Sequence, residues 1–143
     1  MDAVDRAILT ELDADARLSM AELARRVGVS VPTARDRIRR LREDNVIRGY
    51  RLDVDPAALG YPVAAFVRVR PGPGQLPKIA ELARSLPQVS ECHRITGEDC
   101  FLIKVHATDL NTFEEVLDRF LLHGQTTTSI IQSTPVPPRT PGL

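Results

Sequence analysis

The sequence predicts an α+β protein with two domains, an N-terminal winged helix-turn-helix and a C-terminal ferredoxin-like βαββαβ domain. Two short amphipathic helix patterns lie within residues 19–45, separated by a glycine-containing break, and the second carries a run of arginines. From residue 62 to 134 the apolar periodicity changes between strand and helix in the order β, α, β, β, α, β. We therefore expect a first domain over 1–54, a linker over 55–62, a second domain over 63–134 and a proline-rich tail over 135–143.

The composition is that of a soluble globular protein, with 43% hydrophobic and 27% charged residues. Formal net charge is zero, so binding to nucleic acid would need a focused basic patch. No apolar run approaches the roughly 18 residues that span a bilayer, and no leader precedes the first helix, so we expect a cytoplasmic protein without a membrane partner. Cys92 and Cys100 are too few for a disulfide framework and lack metal-site spacing. We expect no metal and no cofactor.

The first two helices are indicated by their caps. Asp2 and Asp5 supply the cap and the first-turn acid of one helix. Ser19 and Glu22 have the spacing of a capping box, and Gly28 ends the helix that they begin. The predicted core stripes are Val4, Ile8, Leu9 and Leu12 in the first helix and Met20, Leu23, Ala24 and Val27 in the second.

The third helix begins after Ser30 and tolerates Pro32 in its first turn. Its core stripe is Val31, Ala34, Ile38 and Leu41. From residue 31 to 52 there are seven arginines and three acids, a local net charge of 7 − 3 = +4. A solvated basic helix would show the same arginines, but cap, stripe, break and charge together favour DNA binding.

Arginine suits this role because its planar fork can pair with a phosphate or with a guanine edge through two bonds. The residues predicted to contact base edges or adjacent phosphates are Thr33, Arg35, Arg39 and Arg40, and those predicted to contact the backbone are Arg37, Arg48 and Arg51. Asp36 could accept from a cytosine amine, but pairing with Arg40 one turn on is the safer interpretation.

Beyond this helix, Asn45 is suited to a left-handed C-cap. Residues 46–53 are then expected to form a short hairpin, the wing, with Gly49 as its turn. The wing would bring Arg48 and Arg51 to the phosphate backbone.

The second domain is predicted from alternating patterns. Strands are expected over 63–70, 89–96, 100–107 and 125–134, with helices over 76–86 and from Asp109 to Gly124. Gly97 would lie in the hairpin between the second and third strands. The helices cover one sheet face, so the other is expected to bury itself against a second copy. The tail is expected to be extended and loose rather than an arm to a neighbouring subunit.

These patterns resemble the Lrp/AsnC family of transcriptional regulators. The resemblance rests on DAVDRAILTEL from Asp2, LSMAELARRVGVS from Leu18, IRRLREDNVIRGYRLDVDPAALG from Ile38 and RITGEDCFLIKV from Arg94. It implies a sequence-specific regulator of double-stranded DNA that dimerises through its C-terminal sheets. It also implies further assembly, for example to an octamer, and an amino-acid effector bound between dimers.

By position, the resemblance puts the effector near Thr96, Gly97, Glu98, Asp99 and Cys100, and near Gly124, Gln125, Thr126, Thr127 and Thr128. Backbone amides at a glycine turn and threonine hydroxyls suit a carboxylate, and Asp99 or Glu98 suits an ammonium. A plain hairpin and a plain strand would show the same residues. The family often has an aspartate where this chain has Cys100.

Two other functions compete with this interpretation. An architectural protein would bind DNA without responding to a metabolite. An enzyme, or the regulatory subunit of one, would need catalytic groups, but His93, His106 and His123 stand at no recognisable spacing from a nucleophile or metal ligands. We therefore expect no enzymatic activity.

Overall fold

The computed structural model describes residues 1–143, which divide into two compact units. Unit 1 contains Met1–Asp53 and Val136–Leu143, and unit 2 contains Val54–Pro135. The helices of unit 1 are α1 (Ala3–Ala14), α2 (Met20–Val27) and α3 (Val31–Glu43). Unit 2 contains a 3-10 turn (Ala57–Leu59), β1 (Val63–Pro71), α4 (Leu76–Ser85), β2 (Val89–Arg94), β3 (Phe101–Ala107), α5 (Leu110–Leu121) and β4 (Gly124–Ile130).

The helices of unit 1 begin at the predicted caps. Asp2 and Asp5 form a reciprocal capping box, each carboxylate accepting from the other's backbone amide at 2.9 Å. Ser19 accepts from the Glu22 amide at 3.1 Å, but Glu22 does not return the bond. Its carboxylate instead binds two arginines of α2, Arg25 and Arg26, whose hydrogen bonds lower the pKa of Glu22 to about 2.

The core of unit 1 consists of the predicted apolar stripes. Ile8, Leu12, Leu23 and Leu41 are buried together, and the residues that pack against them include Val4, Leu9, Met20, Val27 and Ile38. Arg26 also reaches Glu11 at 2.9 Å, which joins α2 to α1. The three-helix arrangement predicted from periodicity is confirmed.

The hairpin predicted for residues 46–53 is not formed, and no residue of that segment lies in a strand. Asn45 does adopt the predicted left-handed conformation, with φ +56°. The next two amides, of Val46 and Ile47, both donate to the Leu41 carbonyl at 2.9 Å, so they close α3 instead of starting a ladder. Ile47 then packs on the core of unit 1.

Unit 2 is an antiparallel sheet in the order β2-β3-β1-β4, with α4 and α5 covering one face. Alternate strand residues point into this layer, among them Val67, Val69, Ile103 and Val105, all fully buried. They pack against Ile79 of α4 and Phe113, Val116 and Phe120 of α5. The βαββαβ prediction is confirmed.

Two strands end earlier than predicted. β2 ends at Arg94, because the Ile95 amide donates to the Cys100 carbonyl at 2.8 Å and closes a loop over residues 95–100. β4 ends at Ile130 because its partner β1 begins at Val63, and the last bond between them runs from the Ile131 amide to the Ala64 carbonyl at 2.8 Å.

The tail after Pro135 has no helix or strand, as its prolines predict, but it lies against α1. Arg6 donates to the Gly142 carbonyl at 3.3 Å, and the Thr140 hydroxyl donates to Asp13 at 2.6 Å. The expectation of a loose tail is therefore wrong, because these hydrogen bonds hold the tail within unit 1.

Candidate nucleic-acid interface and effector site

The exposed side of α3 has two flanks that differ in charge. Arg35, Arg39 and Arg42 follow one another at i, i+4 and i+7, so they share one flank. Thr33, Asp36 and Arg40 follow one another at i, i+3 and i+7 and share the other flank. All six residues are exposed, so both flanks are accessible to a ligand.

An open cavity of about 720 Å³ lies beside the first flank. Its lining includes four arginines, Arg35, Arg39, Arg42 and Arg48, together with Ile38, Ile47, Glu43 and Asn45. Sequence reasoning selected three of these arginines and missed Arg42, although the i, i+4, i+7 spacing was a signal that could have found it. The fold thus gathers charge from α3 and from the segment after it.

Arg37 has a different environment from the other predicted DNA contacts. Its guanidinium binds Asp2 and also Asp5 at 3.1 Å, and 29% of its side chain is exposed. The two carboxylates raise the pKa of Arg37. The pKa of Asp2 is lowered, first by the Asp5 backbone amide and then by Arg37. Arg37 therefore joins α3 to the start of α1 and is already neutralised by two acids.

Asp36 pairs within α3, as the sequence suggested. It accepts from Arg39 at 2.6 Å and lies 3.9 Å from Arg40, so the predicted Arg40 pair is present but Arg39 is closer. Thr33 shares a 2.8 Å hydrogen bond with the capping Ser30. Arg51 is exposed and has no acidic partner within 4.0 Å.

In unit 2, the predicted effector loop is held by two arginines of β1. Glu98 forms an ion pair with Arg70, and Asp99 lies 3.6 Å from Arg68 and 4.0 Å from Arg70. Gly97 adopts φ +99°, which glycine allows at no steric cost. Thr96, just before it, is exposed. Both predicted ammonium-binding acids are thus paired with cations of the same chain.

The second predicted effector segment divides between the two faces of the sheet. Gln125 lies opposite Arg70 and Thr127 opposite Arg68, so both share the arginines' face, away from the helices. Thr126 and Thr128 lie opposite the buried Val69 and Val67, on the helix side. The structure therefore joins the two effector segments through Arg68 and Arg70, and it leaves Thr126 and Thr128 outside this group.

Sequence reasoning missed Arg68 and Arg70. The signal was present in VRVR over residues 67–70, where alternation places both arginines on the face opposite the valines. We call Arg68, Arg70, Glu98, Asp99, Gln125 and Thr127 the arginine-centred cluster.

Gly124 has a structural role at the start of β4. A Cβ at this position would lie 2.2 Å from the Arg70 carbonyl oxygen and 2.9 Å from its carbon. The close pairing of β1 with β4 therefore requires glycine here, with or without a ligand.

The sheet face that α4 and α5 leave uncovered, the open sheet face, carries both polar and apolar groups besides this cluster. Lys104 binds Glu91 at 3.3 Å, and His106 shares a 3.0 Å hydrogen bond with Ser90. Burial lowers the pKa of His106, and the nearby Lys104 acts in the same direction.

No group of three or more His, Cys, Asp or Glu side chains is placed to hold a metal ion. None of the helices combines the length and apolar character needed to cross a bilayer.

Both units match known domain families. Residues 1–48 match the winged helix-turn-helix DNA-binding family, and residues 64–141 match the Lrp/AsnC ligand binding domain. The transcriptional regulator LrpC of Bacillus subtilis is 33% identical over 133 residues, covering 93% of this chain and 92% of LrpC. The leucine-responsive regulatory protein of Escherichia coli is 32% identical over 125 residues, covering 85% of this chain and 76% of that protein.

Solved structures show the same likeness. The structure of Bacillus subtilis LrpC matches with a TM-score of 0.90 at 33% identity, covering 94% of this chain and 96% of that one. A Neisseria meningitidis transcriptional regulator in complex with L-Met matches with a TM-score of 0.89 at 27% identity, covering 98% and 94%. With a helix-turn-helix unit, a four-stranded ligand-domain sheet and these relatives, the chain belongs to the Lrp/AsnC family of transcriptional regulators.

Proposed function

We propose that this protein is a sequence-specific DNA-binding transcriptional regulator whose activity responds to an amino acid or a related metabolite. The observation that carries the DNA-binding part is the exposed arginine surface formed by α3 and the segment after it. Arg35, Arg42 and Arg48 are exposed and have no acidic partner within 4.0 Å, in a protein whose net charge is zero. A focused patch of this kind binds a polyanion without bulk positive charge.

The proposed effector site is the arginine-centred cluster. A free amino acid carries a carboxylate, which suits the forked guanidinium of Arg68 or Arg70, and an ammonium, which suits Asp99 or Glu98. Its binding would exchange the ion pairs within the cluster for ion pairs with the ligand. An amino-acid effector is further supported by the L-Met complex of the Neisseria relative and by the leucine-responsive relative.

The proposed assembly is a homodimer that associates further, for example to an octamer. The sheet face without helices carries two large apolar side chains, Phe66 and Leu102, among its charged residues. A second copy would remove these side chains from water.

The protein would act in the cytoplasm as a regulator rather than as an enzyme, without a cofactor.

DNA binding is tested by selecting duplexes from a random 30-base-pair library on the full-length protein. We expect an enriched sequence that binds tighter than a scrambled duplex of equal length, because base contacts add to the phosphate contacts. Strong binding without enrichment would indicate an architectural protein. No binding to any duplex at low salt would overturn the DNA-binding proposal.

The effector is tested by thermal unfolding of the full-length protein with each of the twenty common amino acids. A ligand present at about 100 times its Kd stabilises the folded state by about 2.7 kcal/mol, so the midpoint should rise for one or a few of them. Asp99→Asn and Arg68→Gln should abolish the rise, whereas Arg84→Gln, an exposed arginine of α4, should retain it. A rise that survives both cluster substitutions would place the effector elsewhere.

A further inference from the structure

We propose that the cavity beside α3, lined by Arg35, Arg39, Arg42 and Arg48, is a phosphate-binding cleft that holds the DNA backbone while the opposite flank of α3 faces base edges. This proposal deepens the proposed DNA-binding function and rests on it. It assigns Arg42 to the phosphate backbone, and it assigns Arg39, predicted to contact base edges or adjacent phosphates, to the backbone as well.

The lining of the cleft is strongly cationic. Four arginines and one acid, Glu43, line it, and Arg39 is already paired with Asp36 at 2.6 Å and lies 3.9 Å from Glu43. The remaining three arginines have no acidic partner within 4.0 Å, so their donors are available to a ligand. Guanidinium forks match the geometry of phosphate oxygens through paired N–H bonds.

The cleft is concave because two segments of unit 1 meet there. α3 supplies Arg35, Arg39 and Arg42, and the segment that follows supplies Arg48 after Asn45 turns the chain with φ +56°. Ile47, next to Arg48, packs on the buried core and so fixes this segment against α3. The four arginines therefore line one concave surface instead of separate faces.

The opposite flank of α3 lacks such an excess of charge. Arg37 is neutralised by Asp2 and Asp5, and Arg40 shares Asp36 with Arg39. The Asp36 carboxylate would repel a phosphate, whereas it can accept a hydrogen bond from a base amine. The asymmetry between the two flanks orients α3 on a duplex, with the cleft toward one strand's backbone.

The test compares Arg42→Gln with Arg40→Gln, which makes the same change on the other flank and leaves the same net charge. Affinity of each full-length protein is measured by fluorescence anisotropy for a selected duplex and a scrambled duplex, from 50 to 200 mM salt. Arg42→Gln should weaken both complexes by the same factor and lower the salt slope by about 1. Its defect should therefore shrink about 3.5-fold across this range.

Arg40→Gln should weaken the selected complex more than the scrambled one. The cleft proposal is overturned if Arg42→Gln leaves affinity and salt slope unchanged while wild type binds DNA, or if its loss is confined to the selected duplex. In both cases the regulator proposal stands, because wild-type DNA binding is measured separately.

Tripolyphosphate, titrated into the DNA-free protein by calorimetry, tests the same chemistry without a duplex. Wild type should bind it and the double variant Arg42→Gln, Arg48→Gln should not, whereas Arg84→Gln should bind like wild type. Binding of tripolyphosphate by a protein that binds no duplex would retain the cleft as a site for a free phosphorylated ligand and overturn the DNA-binding proposal. Equal binding by wild type and the double variant would overturn the cleft.

Discussion

At the scale of the residue, backbone conformation and charge pairing decide which side chains are available to ligands. Arg37 and Arg42 have the same chemistry and lie on the same helix, but Arg37 is paired with two acids of α1 and Arg42 lines an open cavity. In unit 2, the exposed Glu98 forms an ion pair with Arg70, and the half-buried Asp99 forms one with Arg68. Availability therefore depends on neighbours as much as on residue type.

Gly124→Ala should destabilise unit 2. The added Cβ would lie 2.2 Å from the Arg70 carbonyl oxygen, so β1 and β4 must separate, at a cost of about 1–3 kcal/mol. Thermal unfolding followed by circular dichroism measures the loss. Gly72→Ala is the matched control, because its nearest contact would be an ordinary 3.5 Å from the His123 carbonyl. Equal stability of the two variants would contradict the close approach.

Cys100→Val should also lower stability, for a conformational reason. Cys100 adopts φ +57°, a left-handed conformation that is strained for any side chain with a Cβ and most for β-branched residues, so valine should be less stable here than cysteine by about 1 kcal/mol. Cys92→Val serves as the comparison because Cys92 lies in β2, where valine is favoured. Urea unfolding of both variants decides the point, and a Cys100→Val protein as stable as the Cys92→Val protein would contradict it.

At the scale of the element, the start of α1 makes the stability of unit 1 depend on pH. The Asp2 carboxylate caps α1 and meets Arg37 of α3, so one ionised group stabilises two helices. Its pKa is lowered from 3.8, chiefly by the Asp5 amide and then by Arg37. A lowered folded pKa means that the ionised form stabilises the fold above pH 3.8, and that this stabilisation is lost as pH falls through the folded pKa.

Asp2→Asn should therefore reduce the acid sensitivity of unit 1. Asparagine still caps a helix but carries no charge, so stability near pH 7 should fall while the decline below pH 4 becomes shallower. Urea unfolding at a series of pH values from 2.5 to 7 measures both effects. Asp118→Asn, at an exposed position of α5 without a bonded partner, should keep the wild-type profile. An unchanged profile for Asp2→Asn would show that its charge does not contribute.

At the scale of the whole molecule, self-association is the main expectation beyond the single chain. The open sheet face carries Phe66 and Leu102, and Leu102 lies opposite Arg68 on the same face. Burying this face against its own copy would complete an α/β/β/α arrangement of four layers. It would also bring two arginine-centred clusters into one assembly.

Light scattering on a gel-filtration column should give at least twice the 15.8 kDa chain mass. Leu102→Glu should shift the protein toward the monomer, because association would remove a carboxylate from water, a cost that an ion pair with Arg68 offsets only in part. Leu122→Glu, at an 80% exposed position just after α5, should leave the dimer intact. A wild-type protein that elutes as a monomer at micromolar concentration would contradict the proposed homodimer.

The sequence by itself determined the elements and their order. Caps at Asp2, Ser19, Ser30 and Asp109 and the 3.6 and 2.0 periodicities specify local backbone, and all five helices and four strands follow from them. The same periodicity identified the core stripes, because burying one face is the main source of stability for each element. The strand pattern of residues 46–53 was misleading, since the Val46 and Ile47 amides donate to the Leu41 carbonyl of α3 instead of to a strand.

Only the tertiary structure decided which distant residues meet. Three such contacts join residues more than thirty positions apart in the sequence: Arg37 with Asp2, Arg68 with Asp99, and Thr127 with Arg68. Local propensity carries no information on such contacts, because many partners of equal charge are available along the chain. The register of β1 with its two neighbours brings the residues of the arginine-centred cluster together. The packing of Ile47 on the core places Arg48 beside α3, where it lines the proposed phosphate cleft.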